Sequence, residues 1–258
     1  MRRFLTTFWL AATGLALLAS CIPSVNELTT TTGEPIVCIT FDDGHPTVYS
    51  VAFPCMRSID TTYRATHFFP MIFLDTTPAG IGMTLAKLKI MEAAGWQTAG
   101  HTWHHVDLSS VSLESAAVEI KSCYDYLVQN GLHHESFAYP KGNYTTAVES
   151  LAGIWFPNLR TAHDYLYTDG VNRKDLGYFA VKGTHTTADL IARVERARLL
   201  GAPLVIMGFH AVLTDTEPPI TYSYYTRRSI FLGFLRYLKQ QQLPVMTIDS
   251  AMAILGAN

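Results

Sequence analysis

The chain has 258 residues, 48% of them hydrophobic, with 19 basic against 21 acidic side chains. That length and apolar content suffice for one large domain with a full core. A net charge of −2, with no basic cluster beyond Arg2 and Arg3, excludes the electrostatic footprint of a nucleic-acid binder.

Arg2 and Arg3 precede an apolar stretch, 4–18, that runs into Leu18-Ala19-Ser20-Cys21. A basic start, a short apolar run and small residues before a cleavage point predict a signal peptide over 1–20. The run is shorter than the roughly 20 residues a bilayer-spanning helix needs. Leu-Ala-Ser-Cys also resembles a bacterial lipobox, which implies diacylation of the Cys21 thiol. Such acyl chains anchor stably, because each buried CH₂ contributes about 0.8 kcal/mol. Ile22, rather than an acidic residue, follows the cysteine and favours the outer membrane where a cell has two. Residues 21–34, with Thr29 to Thr32 and Gly33, read as a polar tether, leaving 35–258 as the domain. Cys38, Cys55 and Cys123 are odd in number and lack CxxC spacing. One disulfide from Cys55 is compatible with the sequence, and Cys38 reads as a buried apolar residue.

From residue 35 strand-like and helix-like patterns alternate. The first strand, 36–41, is apolar and β-branched and delivers Asp42-Asp43-Gly44 at its C-terminal end, where α/β proteins build their sites. Two adjacent carboxylates repel unless a cation lies beside them. A metal on one, with the other as general base, is one resolution; an ordinary Asp-Asp-Gly turn is the other. A strand at 66–73 and a helix at 84–94 follow. A strand at 97–100 then leads into His101-Thr102-Trp103-His104-His105. Histidines four apart on a helical turn share a face and can grip one ion. With one carboxylate they make a three-ligand site with open positions, the arrangement of a catalytic metal, and His104 points elsewhere. The helix 113–129 shows apolar residues at helical spacing. Strands at 136–139, 159–162 and 177–181, a helix at 188–200 and an apolar strand at 204–209 follow, the last delivering His210. The aromatic stretch 218–225, with Trp103, is a candidate sugar-facing surface, although aromatic residues also simply pack. A helix at 229–241 and a strand at 245–248 complete the chain. Strand–helix alternation over most of its length predicts parallel strands joined by helical crossovers, closed as a barrel.

Asp42-Asp43-Gly44 after the first strand, His101-Thr-x-x-His105, and the strand-terminal His210 together resemble the polysaccharide deacetylase family. This is the NodB-homology group, or carbohydrate esterase family 4. The resemblance runs over roughly 35 to 250. It includes Ala65-Thr66-His67-Phe68-Phe69, Ala94-Gly95-Trp96, Ala99-Gly100-His101 and His105-Val106-Asp107-Leu108. It implies a distorted (β/α) barrel and one divalent metal, most often zinc, on Asp43, His101 and His105. Asp42 is implied as the general base on the attacking water and His210 as the acid that protonates the departing amine. The family's Arg-x-Pro-x-Gly loop matches Ala138-Tyr139-Pro140-Lys141-Gly142, which keeps the proline and glycine but lacks the arginine that holds the base. Lys141 and Tyr139 are the oxyanion and substrate candidates of this loop, and Arg64, Arg160 or Lys141 could supply the missing cation. The family's tuning aspartate has only Asp164 as a weak counterpart.

These features predict an exported, lipid-anchored N-deacetylase acting on an N-acetylated amino-sugar polymer of the cell envelope. Peptidoglycan, poly-N-acetylglucosamine and chitin-type chains are the substrate candidates. The alternatives are an O-acetyl-xylan esterase, a non-catalytic carbohydrate-binding lipoprotein on the same fold, and a metal amidase acting on small amides. Loss of the loop arginine favours the binding protein, and retention of Asp42, Asp43, His101, His105 and His210 favours the enzyme.

Overall fold

The computed structural model describes residues 33–74 and 83–256. The expected signal segment, Cys21 and the tether up to residue 32 lie outside the described residues. Glu34, assigned to the tether, is already fixed to the domain by an ion pair with Arg198 at 2.7 Å.

Seven strands form one parallel sheet: β1 (Ile36–Phe41), β2 (Ala65–Phe69), β3 (Gln97–Gly100), β4 (Ser136–Ala138), β5 (Asn158–Arg160), β6 (Phe179–Ala180) and β7 (Leu204–Phe209). Their spatial order is β5-β4-β3-β2-β1-β7-β6. The central pair, β1 and β7, is buried along its whole length on both faces. That is why both read as continuous apolar runs rather than alternating ones. The register joins Ile36 to Leu204 and Phe41 to Phe209, so Asp42 and His210 leave adjacent strands at the same height.

The chain from Arg173 to Val181 closes the sheet on itself. Leu176 bridges to Arg160 of β5, while Phe179 and Ala180 pair with Met207 and Gly208 of β7. One segment thus touches both sides of the gap, and the result is a distorted (β/α) barrel, as the sequence predicts.

Helices cover the outer face: α1 (Phe53–Ile59), α2 (Leu85–Ala93), α3 (Leu113–Gln129), α4 (Thr146–Ala152), α5 (Thr187–Leu200) and α6 (Arg228–Gln240). Most begin on a threonine or serine whose hydroxyl accepts an N–H of the first turn: Thr84, Ser112, Thr145 and Thr186. The outer core includes Val37, Ile39, Phe41, Phe69, Trp96 and Phe137. The barrel interior holds Ile36, Cys38, Phe68, Ala138, Tyr178 and Ile206. Among the described residues Cys38, Cys55 and Cys123 are free buried thiols, so the bridge from Cys55 does not form.

One expectation needs correction. Residues 245–248 make one bridge, Val37 to Val245, rather than a strand. Thr247 instead caps a last helix, α7 (Ile248–Leu255), which packs against β1 and β5. The β-branched run suggested a strand, but the threonine cap decides for helix. A short parallel pair, β8 (Ala211–Leu213) with β9 (Tyr225–Arg227), follows His210 and frames the aromatic stretch.

Candidate active site

The C-terminal ends of the strands bring Asp42, Asp43, His101, His105 and His210 together. Asp43 Oδ1 lies 3.3 Å from His101 Nε2 and 2.9 Å from His105 Nε2, and Asp43 Oδ2 lies 3.7 Å from His210 Nε2. One ligand atom from each of Asp43, His101 and His105 falls within 4.8 Å of the others, a grouping that could hold a metal ion.

The two histidines do not meet through a helical turn. Residues 101–105 form an irregular loop in which Thr102 (φ 63°) and His105 (φ 57°) are left-handed. Asp43 (φ 64°) and Lys141 (φ 60°) are as well, so four of the five described non-glycine residues with positive φ belong to the site's motifs. Such conformations cost on the order of 1 kcal/mol or more each and persist where the surroundings over-determine them. Here the surroundings include Glu119 of α3, whose Oε2 accepts the N–H groups of Trp103 (3.1 Å) and His104 (2.8 Å). His104 turns outward onto the other oxygen of that carboxylate at 2.7 Å.

The donor set fits a cation. His101 Nδ1 lies 2.7 Å from the Ala138 carbonyl oxygen, which can only accept, so Nδ1 carries a proton. In the neutral ring Nε2 then presents a lone pair to the Asp43 carboxylate. Either a second proton on His101 or a cation among the three atoms must answer that negative charge. Burial alone would raise the Asp43 pKa. The hydrogen bonds of His101 and His105, with the charges of His101 and His210, outweigh it and hold the carboxyl well below the usual carboxylate range.

Asp42 is buried, and its Oδ2 accepts from Arg160 Nη2. Arg160 crosses the barrel interior between Phe68 and Tyr178, 4.9 and 4.4 Å from their ring centres. Ala138, where the arginine is missing, is the register partner of Arg160 on the neighbouring strand. The cation is therefore retained one strand over, at the same height. Arg64 bonds instead to the Thr61 and Tyr63 carbonyls. Lys141 sits in a 3-10 turn, its side chain exposed. That turn requires Gly142 (φ 74°), because a Cβ there would lie 2.1 Å from Ala162 Cβ. Asp42 Oδ1 remains buried without a hydrogen-bond partner.

Burial lowers the His210 pKa, against the opposing pull of Asp42 and Asp43. Among the described residues no carboxylate bonds its Nδ1, which is buried and unpartnered. Asp164 pairs with Arg193 at 2.6 Å instead. Tyr224 stacks on His210 with centroids 4.9 Å apart, and Tyr222 meets it edge-on at 6.3 Å. The aromatic stretch thus reaches the site. Trp103 leans away onto Tyr126, beside a groove of about 350 Å³ on the α3 flank, outside the donor cluster. Tyr139 is not brought to the site: its ring is buried against Phe137 and Tyr144, and its N–H donates to Arg160 O at 3.2 Å.

The polysaccharide deacetylase family model matches residues 29–153. Among solved structures, a Xyl-CE4 domain of a multidomain xylanase from the hindgut metagenome of Trinervitermes trinervoides is 17% identical with a TM-score of 0.56, covering 87% of this chain and 93% of that one. Peptidoglycan deacetylase PdaC from Bacillus subtilis is 14% identical with a TM-score of 0.55, covering 86% and 91%. Streptococcus pyogenes deacetylase PplD, in complex with acetate, is 23% identical with a TM-score of 0.53, covering 66% and 73%. At such identities these likenesses speak for the fold. No curated protein matches the chain in sequence. The family match covers the first two motifs of the site and the structural likeness carries the barrel beyond them: residues 29–153 of this chain match the polysaccharide deacetylase family, and the fold as a whole is the one its members share.

Proposed function

We propose that this protein is a metal-dependent N-deacetylase that removes acetyl groups from an N-acetylated amino-sugar polymer of the bacterial envelope. It would be exported and held at the membrane by lipid on Cys21. The observation that carries the enzymatic reading is the convergence of Asp43, His101 and His105, flanked by Asp42 and His210.

Two imidazoles and a carboxylate suit zinc. When bound there, the ion would supply a Lewis acid for the acyl carbonyl and favour ionisation of water. The remaining chemistry falls to the chain. Asp42 Oδ1, with no hydrogen-bond partner, takes the proton of the attacking water, while Arg160 fixes the other oxygen. The Lys141 N–H, on its left-handed turn, is the proposed donor to the developing oxyanion. His210 Nε2, facing Asp43, gives a proton to the leaving nitrogen. An amine leaves poorly without that proton, so a positioned acid supports amide over ester as the natural substrate.

The test is acetate release from N-acetylglucosamine oligomers, peptidoglycan and acetylated xylan, with zinc, with a chelator, and in Asp42→Asn. The expected result is zinc-dependent release from an N-acetylated polymer, lost with the chelator and reduced about 10² to 10⁴-fold in Asp42→Asn. Release from xylan alone would move the assignment to the esterase. Sugar binding with no release from any polymer would make the protein a binding lipoprotein.

A further inference from the structure

His45 has no part in the chemistry above, yet its ring is held in one tautomer beside the site. It follows Gly44 (φ 69°), where a Cβ would lie 2.5 Å from the Phe69 ring, so the turn that places His45 is fixed by packing. The Thr47 hydroxyl accepts the Val212 N–H at 3.0 Å and lies 2.8 Å from His45 Nδ1. The Thr47 N–H also donates to Nδ1, at 3.3 Å. A backbone N–H can only donate, so Nδ1 offers its lone pair, the ring is neutral and its proton sits on Nε2. Thr47 is buried, which shields the relay from water.

The ring itself is half-buried. No described residue accepts from Nε2, and Nε2 is absent from the buried atoms that lack a partner, so this N–H opens to solvent. The charged groups that act on the ring are Glu217, Asp43 and His210. His45 lies two residues after Asp43, and its contact with Thr47, whose hydroxyl holds the Val212 N–H two residues after His210, sets the ring between the site loop and β8. The connection from β8 to β9 carries Tyr222 and Tyr224 against His210. A neutral, pre-oriented donor at this position is free to meet an acceptor oxygen from outside the protein in place of water.

We propose that His45 orients the substrate: its Nε2–H donates to a hydroxyl or carbonyl oxygen of the sugar unit whose acetamide faces Asp42 and His210. Thr47 is the positioning residue that fixes the tautomer and, through Val212, ties it to the strand that follows His210. This assignment rests on the deacetylase reading.

The experiment uses the full chain carrying Asp42→Asn, so that binding is read without turnover, with tetra-N-acetylchitotetraose and a peptidoglycan fragment as probes. His45→Ala and His45→Phe should each loosen binding about 5- to 10-fold, the weight of one neutral hydrogen bond. His45→Gln, whose amide nitrogen reaches the Nε2 position, should stay within about threefold of the parent. Thr47→Val should follow His45→Ala in direction, and Thr47→Ser should restore binding. Zinc affinity, from competition with a chelator, should be unchanged throughout. In the active enzyme His45→Ala should raise KM and leave kcat nearly unchanged. Unaltered sugar affinity in His45→Ala overturns the assignment, and so does a loss of zinc affinity that parallels the loss of sugar. A parent chain that binds neither probe overturns the deacetylase reading itself, and this one with it.

Discussion

At the scale of single residues, the displaced arginine is the most consequential feature of the site. The family pattern expects a cation at position 138, and the sequence supplies alanine there. What the linear pattern cannot carry is strand register, which sets Ala138 beside Arg160 and turns the guanidinium through the barrel to Asp42. Ala138 keeps a task of its own, since its carbonyl fixes the His101 tautomer. Any residue supplies a carbonyl, so no side-chain pattern reveals that role. With Asp42 as the proposed base, Arg160→Met should remove its fixed partner and lower kcat about 10²-fold or more. It should also leave a buried carboxylate uncompensated, at a cost of about 3 to 5 kcal/mol. Adding Asp42→Asn removes that charge, so the double variant should melt higher than Arg160→Met alone. If thermal melting shows the two losses simply adding, the residues do not act as a pair.

At the scale of elements, strong periodicity and good caps made the structure legible. β1, β3, β7 and α3 fall where their patterns predict. The helices that were missed have weaker signals. α1 is preceded by a π-helical turn, Val48–Ala52, between Pro46 and Pro54, and prolines in a short segment read as loop although Pro54 only opens the helix. α4 spans seven residues, too few for a repeat to show. The pairing of His101 and His105 beside Asp43 follows their spacing, but its geometry does not, because left-handed residues at 102 and 105 replace the expected helical turn. α3 supports that loop: its apolar side packs on the sheet through Ala116, Ile120, Cys123 and Leu127, and Glu119 reaches the backbone of Trp103 and His104. Groups that hold metal-binding side chains in place are typically worth about 10- to 100-fold in metal affinity. Glu119→Ala should weaken zinc binding by that order while the fold persists. Glu119→Gln, which keeps one acceptor oxygen, should fall between. Chelator competition measures both, and an unchanged affinity in Glu119→Ala would show that the loop holds its shape without α3.

At the scale of the whole molecule, the barrel separates chemistry from stability by its two ends. The groups of the site leave the C-terminal ends of the strands. At the opposite end Ser136 and Asn158 both donate to Asp249 of α7, Asn158 at 2.8 Å, and the Asp249 N–H reaches Gln97 Oε1 at 3.4 Å. Asp249 Oδ2 is buried with no hydrogen-bond partner, and the Glu135 carboxylate is the like charge that acts on it. Burial first, and Glu135 with it, push the Asp249 pKa up to about 6 despite the Ser136 hydrogen bond, while Glu135 is lowered. A carboxyl whose pKa is higher folded than unfolded binds its proton more tightly in the native state. Its stabilisation is complete below the unfolded value of 3.8 and is lost as pH rises through about 6. Asp249→Asn removes the titration, keeps an oxygen for Ser136 and Asn158, and offers Glu135 an N–H. The variant should therefore gain on the parent at pH 8, by on the order of 1 kcal/mol or about 2 to 4 °C in Tm, and show little gain at pH 4. A Tm difference that stays constant between the two pH values would mean that Asp249 does not bind its proton more tightly in the folded state. The acid stability of the fold would then have to come from the site end, where any bound metal would make it depend on chelator.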